Sequence, residues 1–206
     1  DMSDFQVLEF TGVQFTTFNV AGARSRGFEV EVFGRLHDYI SINASVTHAK
    51  ARYDQNCTAG VPAAVVASVA LLCGQDLTNA PRWAGVTGIT YDGPLNSSGW
   101  GLTANMNVSY SGSRRTSTQA VERLSSGAIV PLPLDRQEDY FKINARLGFT
   151  DPSERFTFEV WGTNLGNEIT RGITSNTPLR GGGGTRSRIA FVEEPRMYGI
   201  TVRTKF

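Results

Sequence analysis

The sequence predicts an all-β fold: an antiparallel up-and-down meander of about eight strands that forms part of a transmembrane β-barrel. Three observations predict it. Apolar and polar residues alternate with period two over six separate segments, which sends successive side chains of an extended chain to opposite faces. The connections alternate in length, with tight turns at 34–38, 93–99 and 150–154 and long stretches at roughly 54–81, 112–137 and 166–194. Small uncharged residues fill the polar faces and aromatic residues gather near strand ends, the pattern of a wall with lipid on one side and a polar lumen on the other.

Taken in order, the strands are expected at about 3–10, 14–34, 38–53, 82–92, 100–111, 138–150, 155–164 and 195–206. In the second, Phe28, Val30 and Val32 oppose Glu29 and Glu31; in the third, Ile40, Ile42, Ala44 and Val46 oppose Ser41, Asn43 and Ser45. The fifth sets Trp100, Leu102, Ala104, Met106, Val108 and Tyr110 against Thr103, Asn105, Asn107 and Ser109. Phe141, Ile143, Ala145, Leu147 and Phe149 alternate with Lys142, Asn144, Arg146 and Gly148, and Phe156, Phe158 and Val160 with Thr157, Glu159 and Trp161. The last strand places Tyr198, Ile200, Val202 and Phe206 on one face, with Thr204 its weak member, opposite Gly199, Thr201, Arg203 and Lys205. Any single strand of this kind also suits a soluble β-sandwich or a lipocalin-like barrel. The loop asymmetry and the aromatic ends favour the membrane barrel.

Composition narrows the function classes. The 206 residues carry 20 Lys and Arg against 19 Asp and Glu, a net charge of +1 that gives no electrostatic footprint for nucleic acid. Charged residues are only 19% of the chain and glycines number 22, which leans toward turn-rich β structure. The longest apolar run, Val61 to Cys73, is too short for a helix that crosses a bilayer. The opening residues show no basic and apolar regions of a signal peptide, so the chain is expected to start as a mature protein or a fragment.

Several segments resemble TonB-dependent outer-membrane receptors, in the order that family has them. They are Asp4 to Val7 followed by Asn19 to Val32, then "LTNAPRW" (Leu77 to Trp83), "VWGTNLGNE" (Val160 to Glu168) and the C-terminal "EPRMYGITVRTKF". The resemblance covers almost the whole chain. It implies the C-terminal portion of a barrel of about 22 strands, with the plug domain and the earlier strands lying outside residues 1–206. It also implies active transport of a scarce ligand (an iron-siderophore, cobalamin or a carbohydrate) across the outer membrane of a Gram-negative bacterium. The partners so implied are membrane lipid, the ligand, the barrel-assembly machinery, and the inner-membrane TonB complex reached through the plug. Neither cofactor nor catalysis is expected. The short turns would be periplasmic and the long loops extracellular. A self-contained small membrane barrel with an adhesive or structural role and a soluble binding module are the other two readings.

Candidate residues follow from that frame. Cys57 and Cys73 share the first long loop, and in an oxidising compartment a disulfide between them is the economical reading, with two buried free thiols the other. Two cysteines without nearby histidines lack the ligands of a structural metal site. Between them, Pro62 and Gly74 bracket a short helix expected to pack within the loop. Glu29, Glu31, Lys142, Arg146, Glu159, Arg203 and Lys205 are expected to face the lumen, as a solvated wall against a plug rather than an acid/base pair. The run "RGGGGTRSR" lacks the flanking strand, helix and Lys-Ser/Thr ending of a phosphate loop, so it reads as an external loop whose Arg180, Arg186 and Arg188 are available to an anionic ligand. Tyr198, Ile200, Val202 and Phe206 resemble the C-terminal signal read by the assembly machinery.

Overall fold

A computed structural model of the chain describes residues 1–10, 14–63, 65–118, 121–123, 126–179 and 187–205. Eight strands form one sheet in chain order: β1 (Met2–Phe10), β2 (Phe15–His37), β3 (Ile40–Tyr53), β4 (Trp83–Pro94), β5 (Gly101–Ser111), β6 (Tyr140–Thr150), β7 (Phe156–Thr163) and β8 (Met197–Thr204). Every neighbouring pair is antiparallel. The sheet is an open wall, with β1 and β8 its outer strands.

Cross-strand register carries the sequence alternation into two continuous faces. One row runs Phe28, His48 and Trp83, and the next Val30, Val46, Gly85, Tyr110 and Phe141. Lower on the same face, Ile42, Ile89, Met106, Ala145, Gly162 and Tyr198 form a third row. A one-residue slip anywhere would flip a strand's apolar set, so the agreement across seven ladders is a strong constraint on register. This face stays uncovered: Phe28, Val32, Tyr198, Ile200 and Val202 are all more than half exposed. A soluble sandwich would bury that face against a second sheet, whereas the other sheets among the described residues are three two-stranded ladders.

The buried apolar cluster lies elsewhere. β1 pairs only with Phe15–Ala23 of β2, starting where Ala23 meets Tyr53 at the end of β3, so the β1–β2 hairpin projects beyond the rest of the wall. Its inward Val7, Phe18 and Val20 pack with Tyr53, Cys57, Val69 and Leu72 of the first long loop. The helix expected between Pro62 and Gly74 is confined to α1 (Val66–Ala70), with turns on either side. Gly74 closes this segment at φ +71, in the left-handed region that glycine adopts without strain.

Three sequence expectations need correction. The first turn is Asp38 and Tyr39 alone, because the β2–β3 ladder continues past Gly34 to His37 opposite Ile40, with a register shift after Arg35. The turn near 93–99 likewise starts later, since Pro94 pairs with Gly101. The long loops are not irregular throughout: they hold ladders between Arg114–Arg115 and Arg136–Gln137, Val121–Arg123 and Ile129–Pro131, and Arg171–Asn176 and Arg188–Val192. Backbone groups lifted away from the wall find partners in these local hairpins.

Candidate functional site

The polar face and the three long loops above it form the candidate site. On the wall, Glu159 of β7 is buried and gathers two of the cations that the sequence places on this face. Arg203 of β8 donates from Nη1 to Glu159 Oε2 at 3.0 Å, and Arg146 Nε of β6 lies 3.6 Å from Oε1. β6, β7 and β8 are adjacent, so the charges meet by strand order rather than by sequence proximity. Glu29 stands apart on β2, where Thr47 donates to it at 3.3 Å, while Glu31 is exposed and Lys205 lies just past β8 at the turn end. Glu29 and Glu31 therefore share a face without forming a cluster with Arg146, Glu159 and Arg203.

Lys142 connects the wall to the loops. Its Nζ donates to Glu193 Oε2 at 2.8 Å, Thr170 donates to the same oxygen at 2.7 Å, and Arg114 Nη2 donates to Oε1 at 2.9 Å. Arg114 also reaches the Tyr140 hydroxyl and Ser111 Oγ, each at 3.0 Å, and Asn79 Oδ1 at 3.3 Å. One guanidinium thus ties all three long loops to the tops of β5 and β6. Burial raises the Glu193 pKa, but hydrogen bonds from Lys142 and Thr170 and the charges of Lys142 and Arg114 outweigh it, holding the carboxyl below its ordinary value.

A second junction joins the last two loops. Asp135 is fully buried and paired with Arg188, whose Nε donates to Asp135 Oδ1 at 2.8 Å while Nη2 donates to Ser117 Oγ at 3.0 Å. Arg188 Nη1 also donates to Asn176 Oδ1, and the Thr116 and Thr174 hydroxyls meet at 2.8 Å beside it. Arg188, offered by the sequence to an anionic ligand, has its charge consumed here; its side chain is 5% exposed. Arg180, Arg186 and Phe206 lie outside the described residues.

Asn164, at the end of β7, adopts φ +49 and closes the last loop at its base. Its Nδ2 donates to the carbonyls of Glu168 and Glu194, its Oδ1 accepts from Glu168 N, and its own N–H donates to Asn144 Oδ1. The "VWGTNLGNE" motif is therefore a clasp for the loop. In the first long loop, Cys57 and Cys73 are joined by a disulfide, with Cα atoms 5.3 Å apart, inside the hydrophobic cluster. On the opposite, apolar face, Tyr198, Ile200 and Val202 of β8 form one exposed row.

Residues 1–165 match the family model described as TonB dependent receptor-like, beta-barrel. The chain belongs to the TonB-dependent receptor family. That family is one of receptors and transporters rather than enzymes, and its members are outer-membrane proteins of Gram-negative bacteria. Similar solved structures include the ferric yersiniabactin uptake receptor FyuA from Yersinia pestis, with a TM-score of 0.69 at 18% identity over 93% of this chain and 25% of that one. FpvA of P. aeruginosa, solved with heterologous pyoverdines, matches with a TM-score of 0.64 at 15% identity over 98% of this chain and 23% of that one. The FrpB iron transporter from Neisseria meningitidis matches with a TM-score of 0.58 at 12% identity, covering 99% of this chain and 27% of that one. These likenesses establish the fold, and the chain spans about a quarter of each of those proteins. A comparison with curated proteins found no match.

The sequence did not single out Arg114, Glu193, Asp135, Asn164 or Thr170 as site residues. Only Asn164 lay within a recognised motif. The others sit in loops where no periodicity marks them.

Proposed function

We propose that this chain is the C-terminal part of an outer-membrane active transporter that takes up a ferric siderophore, energised by the TonB complex through a plug domain encoded elsewhere in the same protein. The observation that carries the reading is the match of residues 1–165 to the receptor barrel family, laid on a wall whose apolar face is uncovered. In this reading the uncovered face meets lipid, Glu159, Arg146 and Arg203 face the plug, and the loops joined at Glu193 and Asp135 form part of the ligand's external entrance. Cobalamin and carbohydrate remain the ligand classes to compare, and the siderophore is favoured because the structural neighbours named above are a ferric yersiniabactin receptor, a pyoverdine-bound receptor and an iron transporter. The last row of β8, Tyr198, Ile200 and Val202, with Phe206, serves as the assembly signal.

A self-contained eight-strand barrel is the competing reading. It requires β1 to pair with β8, whereas these are the two free edges of the wall and β1 pairs only beyond the end of β3. The deciding experiment deletes the full gene and follows uptake of radiolabelled ferric siderophores, cobalamin and maltodextrin in iron-starved cells, with and without TonB. Loss of ferric-siderophore uptake alone, matched by loss of TonB, is expected. Unchanged uptake of all three would overturn the transporter reading.

A further inference from the structure

The polar face of the wall divides into sectors that differ in what they can hold. On β2, Glu29 accepts a hydrogen bond from Thr47, and Glu31 is exposed on the same side. On β6 to β8, Arg146 and Arg203 share the buried Glu159. Arg203 reaches it through Nη1, while Arg146 approaches it at 3.6 Å and makes no hydrogen bond among the described residues. Both arginine side chains are more than half exposed and keep unused donors. A body that encloses them must bring acceptors of its own, because a charged donor buried without a partner is costly.

Between these charged flanks lies a neutral sector. Strands β3 to β5 present amide, hydroxyl and small side chains on the polar face, and the register sets them in rows, Ser45 beside Val86 and Ser109, Asn43 beside Gly88 and Asn107. The one charge on this face of the three strands is Asp92, near the turn at the lower end, where Thr103 donates to it at 3.2 Å. The polar groups above it bond within the wall. Asn105 Nδ2 donates to Thr90 Oγ1 at 2.8 Å, Asn144 Nδ2 to Asn107 Oδ1 at 3.0 Å, and Ser109 Oγ to the Lys142 carbonyl at 3.5 Å. Gly88 leaves room for the Asn43 amide, since a Cβ there would stand 2.6 Å from Asn43 Oδ1. With strands about 4.8 Å apart and about 3.4 Å per residue, the sector is roughly 14 Å wide and, from Thr47 down to Ser41, roughly 20 Å long.

We propose that the ferric chelate crosses the receptor between the plug and this neutral sector of β3 to β5, with the plug held by charge on either side of it. The proposal rests on the transport reading given under Proposed function. Parting plug from wall at the flanks strands charged donors and acceptors. Over β3 to β5 the wall's hydrogen bonds are already made within the wall, so parting the surfaces there exchanges contacts for water at little cost. The sector also lacks charge of either sign above Asp92 that would trap a chelate, and a passage must release what it admits.

The test uses the full-length receptor in iron-starved cells, with Ser45→Cys or Asn107→Cys in the sector and Thr157→Cys in the flank, where Thr157 pairs with Arg203. The native Cys57 and Cys73 are bonded to each other and do not react. A membrane-impermeant fluorescent maleimide is added outside the cells while uptake of radiolabelled ferric siderophores is followed, and heat-modifiable migration reports that each variant is folded. Ser45→Cys and Asn107→Cys are expected to label about tenfold faster in cells with TonB than in cells without it, whereas Thr157→Cys labels slowly in both. A maleimide carrying a bulky polymer should then lower uptake through Ser45→Cys about tenfold, and a methyl-sized thiol reagent should leave it unchanged. TonB-independent labelling in the sector, equal TonB-dependent labelling of Thr157→Cys, or full uptake with the bulky adduct in place would overturn the proposal. A receptor that takes up no ferric siderophore before any labelling would overturn the transport reading itself, so the two failures are distinguishable.

Discussion

Asp135 and Arg188 are the most deeply buried opposite charges in the described residues, and they come from loops 53 positions apart. Removing one partner of such a pair leaves an uncompensated charge in a low-dielectric site and costs about 3–5 kcal/mol. Asp135→Asn should therefore loosen the ladders at Arg136–Gln137 and Arg171–Asn176 while β5 to β8 stay intact, and amide exchange resolved by residue measures this directly. Glu193 behaves differently because it is partly exposed and titrates. Its folded pKa lies below the ordinary carboxylate value of 4.5, so the stability it contributes is present above that value and is lost as pH falls through the lower folded pKa. Protease resistance of the loop 164–196 should be flat from neutral pH to about 5 and drop under stronger acid. Glu193→Gln should flatten that acid dependence. At residue scale the wall also depends on Gly199, where a Cβ would stand 2.6 Å from the Trp161 ring, whose Nε1 donates to Thr201. Gly199→Val is expected to lower the yield of heat-modifiable barrel, because the Trp161 ring must leave its place over Gly199 and give up its hydrogen bond to Thr201.

Among the elements, the first long loop and the β1–β2 hairpin share the core cluster of buried apolar side chains found among the described residues, and the disulfide closes it. A cross-link over a loop of this length is worth about 3 kcal/mol. Reduction, or Cys57→Ser with Cys73→Ser, should increase amide exchange of Val66–Ala70 and of β1 before any change appears in β3 to β8. The same elements show why some of the fold was legible in sequence and some was not. Strands β2, β3 and β5 to β8 announce themselves because lipid on one side and a polar interior on the other impose period two residue by residue. β1 also reads as a strand, but its displacement beyond the wall is set by pairing with Phe15–Ala23, which no local pattern encodes. The charges on the wall were readable from parity alone, as with Arg146, Glu159 and Arg203. Arg114 and Glu193 were not, since they meet across 79 positions through loops without periodicity. Arg188 was found for its charge and misjudged in role, because nothing around it in sequence marks Asp135 as its partner.

For the molecule as a whole, the two faces impose opposite demands. Burial normally stabilises a domain by removing apolar surface from water at roughly 25 cal/mol per Å². Here the apolar face of β2 to β8 remains uncovered, with Tyr198 at 80%, Phe28 at 54% and Ile200 at 66% exposure, while buried groups include Asp135, Glu159, Asn164 and Thr170. That distribution is stable only if lipid covers the outside and neighbouring strands cover the edges. Among the described residues, Arg24–His37 of β2 pair with β3 on one side only, and β8 pairs with β7 on one side only. Each presents a row of unpaired backbone groups. Expressed alone, residues 1–206 should therefore aggregate without detergent and remain heterogeneous with it, whereas the full-length receptor should be monodisperse in detergent. Sedimentation velocity on both samples separates the outcomes. A folded, monodisperse monomer of the isolated segment in plain buffer would mean that the apolar face finds cover within the chain, and the open-wall architecture would have to be abandoned.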